Sequence, residues 1–290
     1  MGGGAGLAVA GGRVDKVLSA SAWAPVLGHW RAEPSRTWSL IVTLFGDAVV
    51  PRGGQVWLGT ALAVFEGLEI GGNVVRTAMS RLAADGWLER RRVGRNSFYQ
   101  LAEKGREVFA EAAVRIYAPV RPAWDGAFRI AIAPEAAGFA ALAPGVLIAA
   151  GPVSVAGAVL LRAETDPASA RALAAQVWPT GRLGDGYRRF LAAFGPLAAH
   201  VRGHEMAGLE AMLARLLLIH AFRRLVLHDP MLPEALLEAG WPGHAARDLC
   251  AGLYRELVPA SERWLDAHGV DANGRLPAPS IRLEERFRAG

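Results

Sequence analysis

The segment 37–101 constrains the fold most, because three short helical patterns are followed directly by two strand patterns. Apolar residues recur at helical spacing in three predicted helices, Trp38–Phe45, Thr60–Leu68 and Asn73–Ala84. Two strand patterns, Trp87–Val93 and Ser97–Leu101, flank the glycine-containing sequence Gly94-Arg95-Asn96, which is typical of a hairpin turn. Three helices followed by a hairpin is the order of a winged helix-turn-helix, which binds DNA. We therefore predict this fold for the segment.

The third predicted helix has an apolar face and a polar face. Its apolar residues follow the i, i+3, i+4, i+7 spacing of a buried face: Val75, Ala78, Met79 and Leu82. The opposite face carries side chains that hydrogen-bond to base edges and phosphates: Asn73, Arg76, Thr77, Ser80 and Arg81. Because a recognition helix enters the major groove with its N-terminal residues first, we predict that these five side chains contact DNA. The alternative is an ordinary solvated helix face, which is also polar.

The predicted hairpin is strongly basic and is opposed in charge only by Glu89. The residues on it that we predict to contact DNA are Arg90, Arg91, Arg92, Arg95 and Asn96. The short extended piece Gln55–Leu58, which contains Trp57, could pair with the hairpin as a third strand. Basic wing residues would reach phosphates or the minor groove while the third helix reads bases. A solvated basic face is the alternative interpretation.

Charge and composition agree with DNA binding without establishing it. The formal net charge is +5, and most of the basic residues are arginines, whose guanidinium matches phosphate oxygens. The single cysteine, Cys250, excludes an internal disulfide framework. Ala136–Leu161 has no charged residue, but Pro144-Gly145 and Gly151-Pro152 interrupt it, so we predict buried strands there rather than a membrane helix. No secretory signal is evident, and we expect a cytoplasmic protein with no membrane partner.

The fold class that the patterns predict is α+β and multidomain. Four segments are expected: a flexible leader (1–35), a winged helix domain (36–120), a middle domain (121–195) and a helical C-terminal domain (196–290). One short helix is predicted in the leader, near Val14–Ala20. In the middle domain the predicted strands are Phe128–Ala133, Val146–Ala150 and Gly157–Ala163, and the predicted helices are Pro167–Val177 and Gly186–Phe194. The predicted C-terminal helices are Glu205–Leu227 and Gly243–His268.

Two groups of residues are candidates for binding a small effector. They are Tyr187, Arg188 and Arg189, and then His220, Arg223 and Arg224. Arginine pairs with phosphates and aromatic rings stack on planar groups, although interdomain packing or salt bridges would explain both groups equally. His200 and His204 stand at i, i+4, but no third ligand has a persuasive spacing, so no metal site is predicted. Catalytic and dinucleotide motifs are absent from the sequence, and we predict neither a cofactor nor an enzyme.

Several short motifs follow one another in order along the chain. In the first half they are Ser39–Asp47, Trp57-Leu58-Gly59, Val75–Leu82, Asp85–Leu88, Arg91–Arg95, Arg115–Pro119 and Trp124-Asp125-Gly126. In the second half they are Tyr187–Phe190, His220–Arg224, Asp229–Pro233 and Trp241–His244. Taken in order, these motifs resemble the PaaX family of phenylacetic acid degradation transcriptional repressors, and the resemblance covers about residues 36–268.

The resemblance implies a bacterial repressor that acts as a homodimer on a palindromic operator in double-stranded DNA. It also implies a ferredoxin-like middle domain similar to the Cas2 fold, and release from DNA on binding phenylacetyl-CoA or another acyl-CoA. Between Pro134 and Val146 this chain is short and rich in Ala and Gly, where the family has a charged helix. Two alternatives remain: a nucleic-acid-processing enzyme of Cas2-like type, and a small-molecule-binding protein that uses the winged helix for protein contacts.

Overall fold

Along the sequence, a four-stranded antiparallel sheet (residues 127–164) separates two mainly helical regions, the first at residues 22–119 and the second at residues 167–287. The computed structural model describes residues 22–33, 35–119, 121–153, 155, 157, 159–204 and 206–287. Its helices are α1 (Trp23–Ala32), α2 (Thr37–Leu44), α3 (Leu58–Glu66), α4 (Gly72–Ala84), α5 (Glu103–Tyr117), α6 (Pro167–Val177), α7 (Thr180–Val201), α8 (Gly208–Val226) and α9 (Pro242–His268). Its strands are β1 (Gln55–Trp57), β2 (Leu88–Val93), β3 (Asn96–Leu101), β4 (Ala127–Ile132), β5 (Ala140–Ala143), β6 (Val146–Ala150), β7 (Val159–Glu164), β8 (Val270–Asp271) and β9 (Gly274–Arg275).

The first region contains the predicted order of three helices and a hairpin, α2, α3, α4, β2 and β3, with each boundary within two residues of the prediction. The predicted third strand is also present, because β1 pairs antiparallel with β3 and Trp57 lies opposite Phe98. The sheet order is β1-β3-β2, which leaves β2 at the edge. The apolar face of α4 packs inward, and Val75, Met79 and Leu82 are buried. Periodicity therefore predicted this region well.

Helix α2 does not stop where its apolar pattern ends. It continues into a π-helical turn, Phe45–Val49, and a 3₁₀ turn, Val50–Arg52. A π turn shifts the register of side chains by an extra residue per turn, and it often occurs where a polar side chain must be placed specifically. Here it includes Asp47, which is only 3% exposed. An aspartate is thus carried into the interior of the protein.

The middle sheet has the strand pairing of a split βαβ arrangement without the helix after its first strand. Its order is β5-β6-β4-β7, and all three neighbouring pairs are antiparallel. Strands β4 and β5 therefore run parallel to each other with β6 between them, and the predicted ferredoxin-like, Cas2-like fold would join them by a crossover helix. The seven residues between β4 and β5 contain no helix. The Ala/Gly-rich segment after Pro134 therefore forms a turn and an edge strand instead.

The uncharged stretch Ala136–Leu161 contributes to strands β5, β6 and β7, as expected for a segment interrupted by turns. Glycines at positive φ, Gly138 and Gly145, stand at two of those turns. None of the helices in the described ranges is long and apolar enough to cross a membrane.

Two predicted segment boundaries are wrong. Residues 23–32 of the expected flexible leader form helix α1, whose Trp23 is fully buried and donates from Nε1 to Glu210 Oε1 at 2.7 Å. The predicted short helix near Val14–Ala20 lies outside the described residues. The predicted boundary at 195/196 falls inside α7, which runs through Pro196 without a break in helical structure. The predicted helix Gly186–Phe194 is therefore the middle of a 22-residue helix.

A buried ionic network joins the first region to the C-terminal helices. Asp47 accepts hydrogen bonds from Arg215 Nε at 2.6 Å, Arg286 Nη1 at 2.7 Å and Tyr117 Oη at 2.7 Å. Tyr254 Oη also donates to Asp47 Oδ1 at 3.0 Å. Burial alone would raise the pKa of Asp47, but the charges of Arg215 and Arg286 and the Tyr117 hydrogen bond lower it below its ordinary value. The carboxylate is therefore ionised and fully partnered.

Candidate nucleic-acid interface

Helix α4 exposes the polar face that the sequence predicts to contact DNA. Its buried residues contact α2, α3 and β2, which fixes the helix on its apolar side. The five side chains on the other side are all exposed: Asn73, Arg76, Thr77, Ser80 and Arg81. The Arg76 guanidinium donates from Nη1 to Asn73 Oδ1 at 3.1 Å, one turn earlier on the helix. These donors and acceptors are therefore available to a partner in solvent.

The basic hairpin consists of β2, the edge strand of the three-stranded sheet, and β3, its central strand. The two residues of its loop are Gly94 and Arg95, because Val93 pairs with Asn96. Gly94 has a φ of +58°, the left-handed conformation that a type II′ turn requires at its first loop position. In β2 every residue after Leu88 is exposed, on both faces of the strand. β2 is therefore the solvent-exposed strand of the hairpin, whereas Ser97, Phe98 and Tyr99 of β3 are buried.

The arginines of the basic hairpin differ in how they are held. Arg90 donates from Nη2 to Ser97 Oγ on the paired strand at 2.9 Å, so its direction is fixed. Arg91, Arg92 and Arg95 make no side-chain hydrogen bond or ion pair with any other described residue. The nearby Glu89 accepts a hydrogen bond from Gln100 Nε2 at 2.7 Å. Exposed guanidinium groups without carboxylate partners are suited to binding an external anion such as phosphate.

The first candidate effector group does not form an open pocket. Tyr187 is 2% exposed and donates its hydroxyl to Asp229 Oδ2 at 2.9 Å. Burial, followed by the negative charge of Asp229, raises the pKa of this tyrosine above its ordinary value. Arg188 pairs with two exposed carboxylates, and Arg189 pairs with Glu33 at 3.1 Å. Packing and salt bridges within the protein, the alternative to effector binding, describe these contacts best. An effector role for these residues stays a prediction.

The second candidate group, on α8, lies against α2 and the residues just before it. His220 Nδ1 is 3.0 Å from Thr43 Oγ1, and His220 Nε2 is 2.7 Å from Ser35 Oγ. Burial, followed by the positive charges of Arg223 and Arg224, lowers the pKa of His220 to about 3, so the imidazole is neutral at physiological pH. His220 therefore acts as a hydrogen-bonding link between α8 and α2.

We expect His220 to make the protein less stable in mild acid. In the unfolded chain its pKa is near 6.5, so between pH 6.5 and about 3 the unfolded state binds a proton that the folded state does not. Lowering the pH from 7 to 5 should cost the wild type about 2 kcal/mol of unfolding free energy more than it costs His220→Gln. Urea unfolding of both proteins at the two pH values measures this difference. Equal losses would show that His220 is protonated in the folded state.

Sequence reasoning missed a groove of about 1060 Å³ between α2, α4, α5 and α8. We call it the interhelical groove. Aromatic side chains that line it are Trp38, Trp87, Phe109 and Tyr117, and arginines that line it are Arg36, Arg81 and Arg223. Of the six candidate effector residues, only Arg223 lines this groove. No spacing along the sequence indicates it, because its walls come from four helices separated by up to about 190 residues.

A Cas2-like enzyme would need an acidic metal site beside the first strand of the middle sheet, and the carboxylate found there is already bound to other groups of this protein. Asp125, just before β4, forms an ion pair with Arg129, and its Oδ1 accepts from the Ala127 backbone N–H at 3.3 Å. Within the described ranges, no three histidine, cysteine, aspartate or glutamate side chains are grouped as a metal site. His200 and His204 stack their rings 4.3 Å apart, and His204 Nδ1 contacts the His200 carbonyl oxygen.

Comparisons with known proteins identify the class to which this fold and basic face belong, that of PaaX-like proteins. A family model described as PaaX-like protein matches residues 36–105, and one described as PaaX-like protein C-terminal domain matches residues 178–267. The transcriptional repressor PaaX of Escherichia coli (strain K12) is 35% identical in an alignment that covers 88% of this chain and 91% of that protein. The chain therefore belongs to the PaaX family, a family of transcriptional repressors.

Among solved structures, the uncharacterized protein Rv0674 from Mycobacterium tuberculosis aligns with a TM-score of 0.44 at 20% identity. The alignment covers 70% of this chain and 90% of that chain.

Proposed function

We propose that this protein is a transcriptional repressor that binds double-stranded DNA through a winged helix formed by α2, α3, α4 and the basic hairpin. The observation that carries the proposal is the exposed polar face of α4 next to a hairpin whose exposed arginines have no carboxylate partner among the described residues. In this arrangement α4 lies in the major groove and reads base edges. The basic hairpin contacts phosphates or the minor groove beside it.

The repressor acts as a homodimer on a palindromic operator. Two copies of α4 must then face successive major grooves on one side of the duplex, so the half-sites lie about 10 bp apart, or a multiple of that spacing. A small effector releases the protein from DNA, and phenylacetyl-CoA or another acyl-CoA is the candidate that family membership supplies. A winged helix does not need the middle sheet or the C-terminal helices in order to bind DNA, which supports a regulatory role for them.

A mobility-shift assay with the promoter region of the protein's own gene tests this function. We expect a shifted complex that forms at lower protein concentration than with random DNA of the same length, and that dissociates when an acyl-CoA is added. Affinity for the promoter no higher than for random DNA would refute the repressor function. A retained complex in the presence of every acyl-CoA would refute only the proposed effector class.

The replacement Arg76→Ala tests whether α4 reads bases. Arginine pairs with guanine O6 and N7 through two hydrogen bonds, and one such pair contributes about 1–3 kcal/mol of discrimination against a wrong base. We expect the variant to lose this much specific affinity while its affinity for random DNA changes little. Competition binding with operator and random duplexes measures both affinities. If both fall equally, Arg76 contacts the DNA backbone and not a base.

A further inference from the structure

The interhelical groove has apolar walls that solvent reaches. Trp38 is 45% exposed, Val74 is 53% exposed and Val108 is 44% exposed, although all three are large apolar side chains. They lie on three different helices, and all of them line the same groove. Clustered apolar exposure of this kind typically marks a binding site. The volume of about 1060 Å³ is at the upper end of the size of small-molecule sites, which is about 300–1,000 Å³.

One wall of the groove carries a positive charge that no carboxylate of the described residues neutralises. The partners of Arg223 are neutral oxygens: the Thr43 hydroxyl at 2.8 Å, and the Ser39 hydroxyl and carbonyl at 2.7 and 3.0 Å. Burial and the neighbouring Arg224 charge lower the pKa of Arg223 to about 10, which still leaves it charged at neutral pH. A partly desolvated guanidinium with neutral partners gains most from an anion.

The other charges on the groove favour an anionic ligand as well. Arg36 and Arg81 also line it. Of its two acidic lining residues, Asp47 is buried and held by two arginines, and Asp85 is exposed just after the end of α4. An anion in the groove would therefore meet a net positive wall.

The groove also shares residues with the proposed DNA-reading face. Asn73, Thr77 and Arg81 lie on one side of α4 at a spacing of four residues, and all three line the groove. The same three side chains belong to the five proposed to contact DNA. A molecule bound in the groove would thus contact α4 along the edge that faces the major groove.

We propose that the interhelical groove binds a small molecule with an aromatic or alkyl body and an anionic group, that Arg223 pairs with the anionic group, and that the bound molecule weakens DNA binding through α4. Only the last part rests on the proposed function, because ligand binding itself requires no DNA. Two sources have this shared chemistry, a free carboxylate and the phosphate groups of an acyl-CoA thioester.

Isothermal titration calorimetry on the full chain without DNA tests the site. The probes are 2-naphthoate, 2-naphthoyl-CoA, CoA alone and the neutral 2-naphthalenemethanol, which matches naphthoate in shape. We expect one of the two anionic naphthyl probes to bind one molecule per chain at least 10-fold more tightly than the neutral alcohol and than CoA alone. Whichever of the two binds identifies the source of the anion. If neither binds, or if the alcohol binds equally well, the proposal is wrong.

Two variants with matched controls locate the bound molecule. Arg223→Met should weaken binding of the preferred probe at least 10-fold, whereas Arg224→Met, one residue along and outside the groove lining, should not. Val108→Asp should also weaken it, because it places a negative charge on the apolar wall. Val114→Asp on the same helix should have no effect, because Val114 is 61% exposed and does not line the groove. Equal affinities in each pair would place the ligand elsewhere and overturn the proposal.

Adding operator DNA separates this inference from the proposed function. Ligand binding in calorimetry without any shift of DNA would leave the groove assignment standing and refute the repressor function. If the protein binds operator DNA but neither this binding nor calorimetry responds to any probe, the repressor function stands and the groove assignment is refuted. If the repressor function and the groove both hold, saturating probe should weaken operator binding in the wild type, but not in Arg223→Met at the same concentration.

Discussion

Replacement of Arg215 by methionine is expected to lower the free energy of unfolding by about 3–5 kcal/mol, the cost of removing one partner from a buried ion pair. The Arg215 side chain is fully buried on α8 and donates to Asp47, Ser261 and Tyr254, in addition to its ion pair with Glu262. Methionine keeps an unbranched apolar side chain at this position but leaves carboxylates with fewer donors in the interior. Urea unfolding followed by circular dichroism measures the loss.

The control for this variant is Arg255→Met, on the exposed face of α9. Among the described residues, the one side-chain hydrogen bond of Arg255 is to the carbonyl of Ala251, one turn earlier. Its replacement should change the unfolding free energy by less than about 0.5 kcal/mol.

The double variant Asp47→Asn with Arg215→Met should lose less unfolding free energy than the sum of the losses in its single variants, because the two side chains contact each other. Additive losses would mean that the pair contributes no coupling energy.

The second large effect is expected in DNA binding. The double replacement Arg91→Ala and Arg92→Ala removes two exposed cations from the basic hairpin. Each lost phosphate contact reduces the slope of log affinity against log salt by about 0.9, so we expect a change of about 1.8 and roughly 60-fold weaker binding at 0.1 M salt. The loss should be the same for operator and random DNA, because phosphate contacts carry no sequence information. Fluorescence anisotropy over a salt series measures the slope.

This experiment must separate the effect of the protein's lower net charge from the effect of where the two arginines lie. Arg171→Ala with Arg182→Ala removes the same charge from exposed positions at α6 and α7. We expect its salt slope to stay close to that of the wild type. If this pair reduces the slope as much as the hairpin pair does, general electrostatic attraction explains the effect, and the hairpin is not in the interface.

Local patterns predicted the first region closely because its elements are short and each has a clear period. The boundaries of α4 and of both hairpin strands lie within one residue of the prediction. The exposure of all ten predicted DNA-contact side chains follows from the same patterns. Their contact with DNA itself stays a prediction.

The patterns failed where sequence-distant contacts decide the structure. Helix α1 was predicted as leader because its burial depends on Glu210 and helix α7, which lie far along the chain. In the middle sheet the family resemblance predicts a helix after the first strand, but the short Ala/Gly-rich connection between β4 and β5 contains none, and the ferredoxin-like fold itself stays a prediction. Asp47 and Arg215 are single charged residues in apolar stretches of the sequence. This pattern indicates buried charges, which need a partner of opposite charge, here an ion pair that joins α8 to the end of α2.

The sequence distances within this ion network bear on how the chain folds while it is being synthesised. Three of the partners of Asp47 lie 168, 207 and 239 residues later, at Arg215, Tyr254 and Arg286. At about 5–20 residues per second, the ribosome needs roughly 12 to 48 s to add the last of them. Until then the segment that carries α4 has an aspartate without its arginine partners at the end of α2. The proposed DNA-binding region is thus expected to reach its final stability only after Arg286 has emerged.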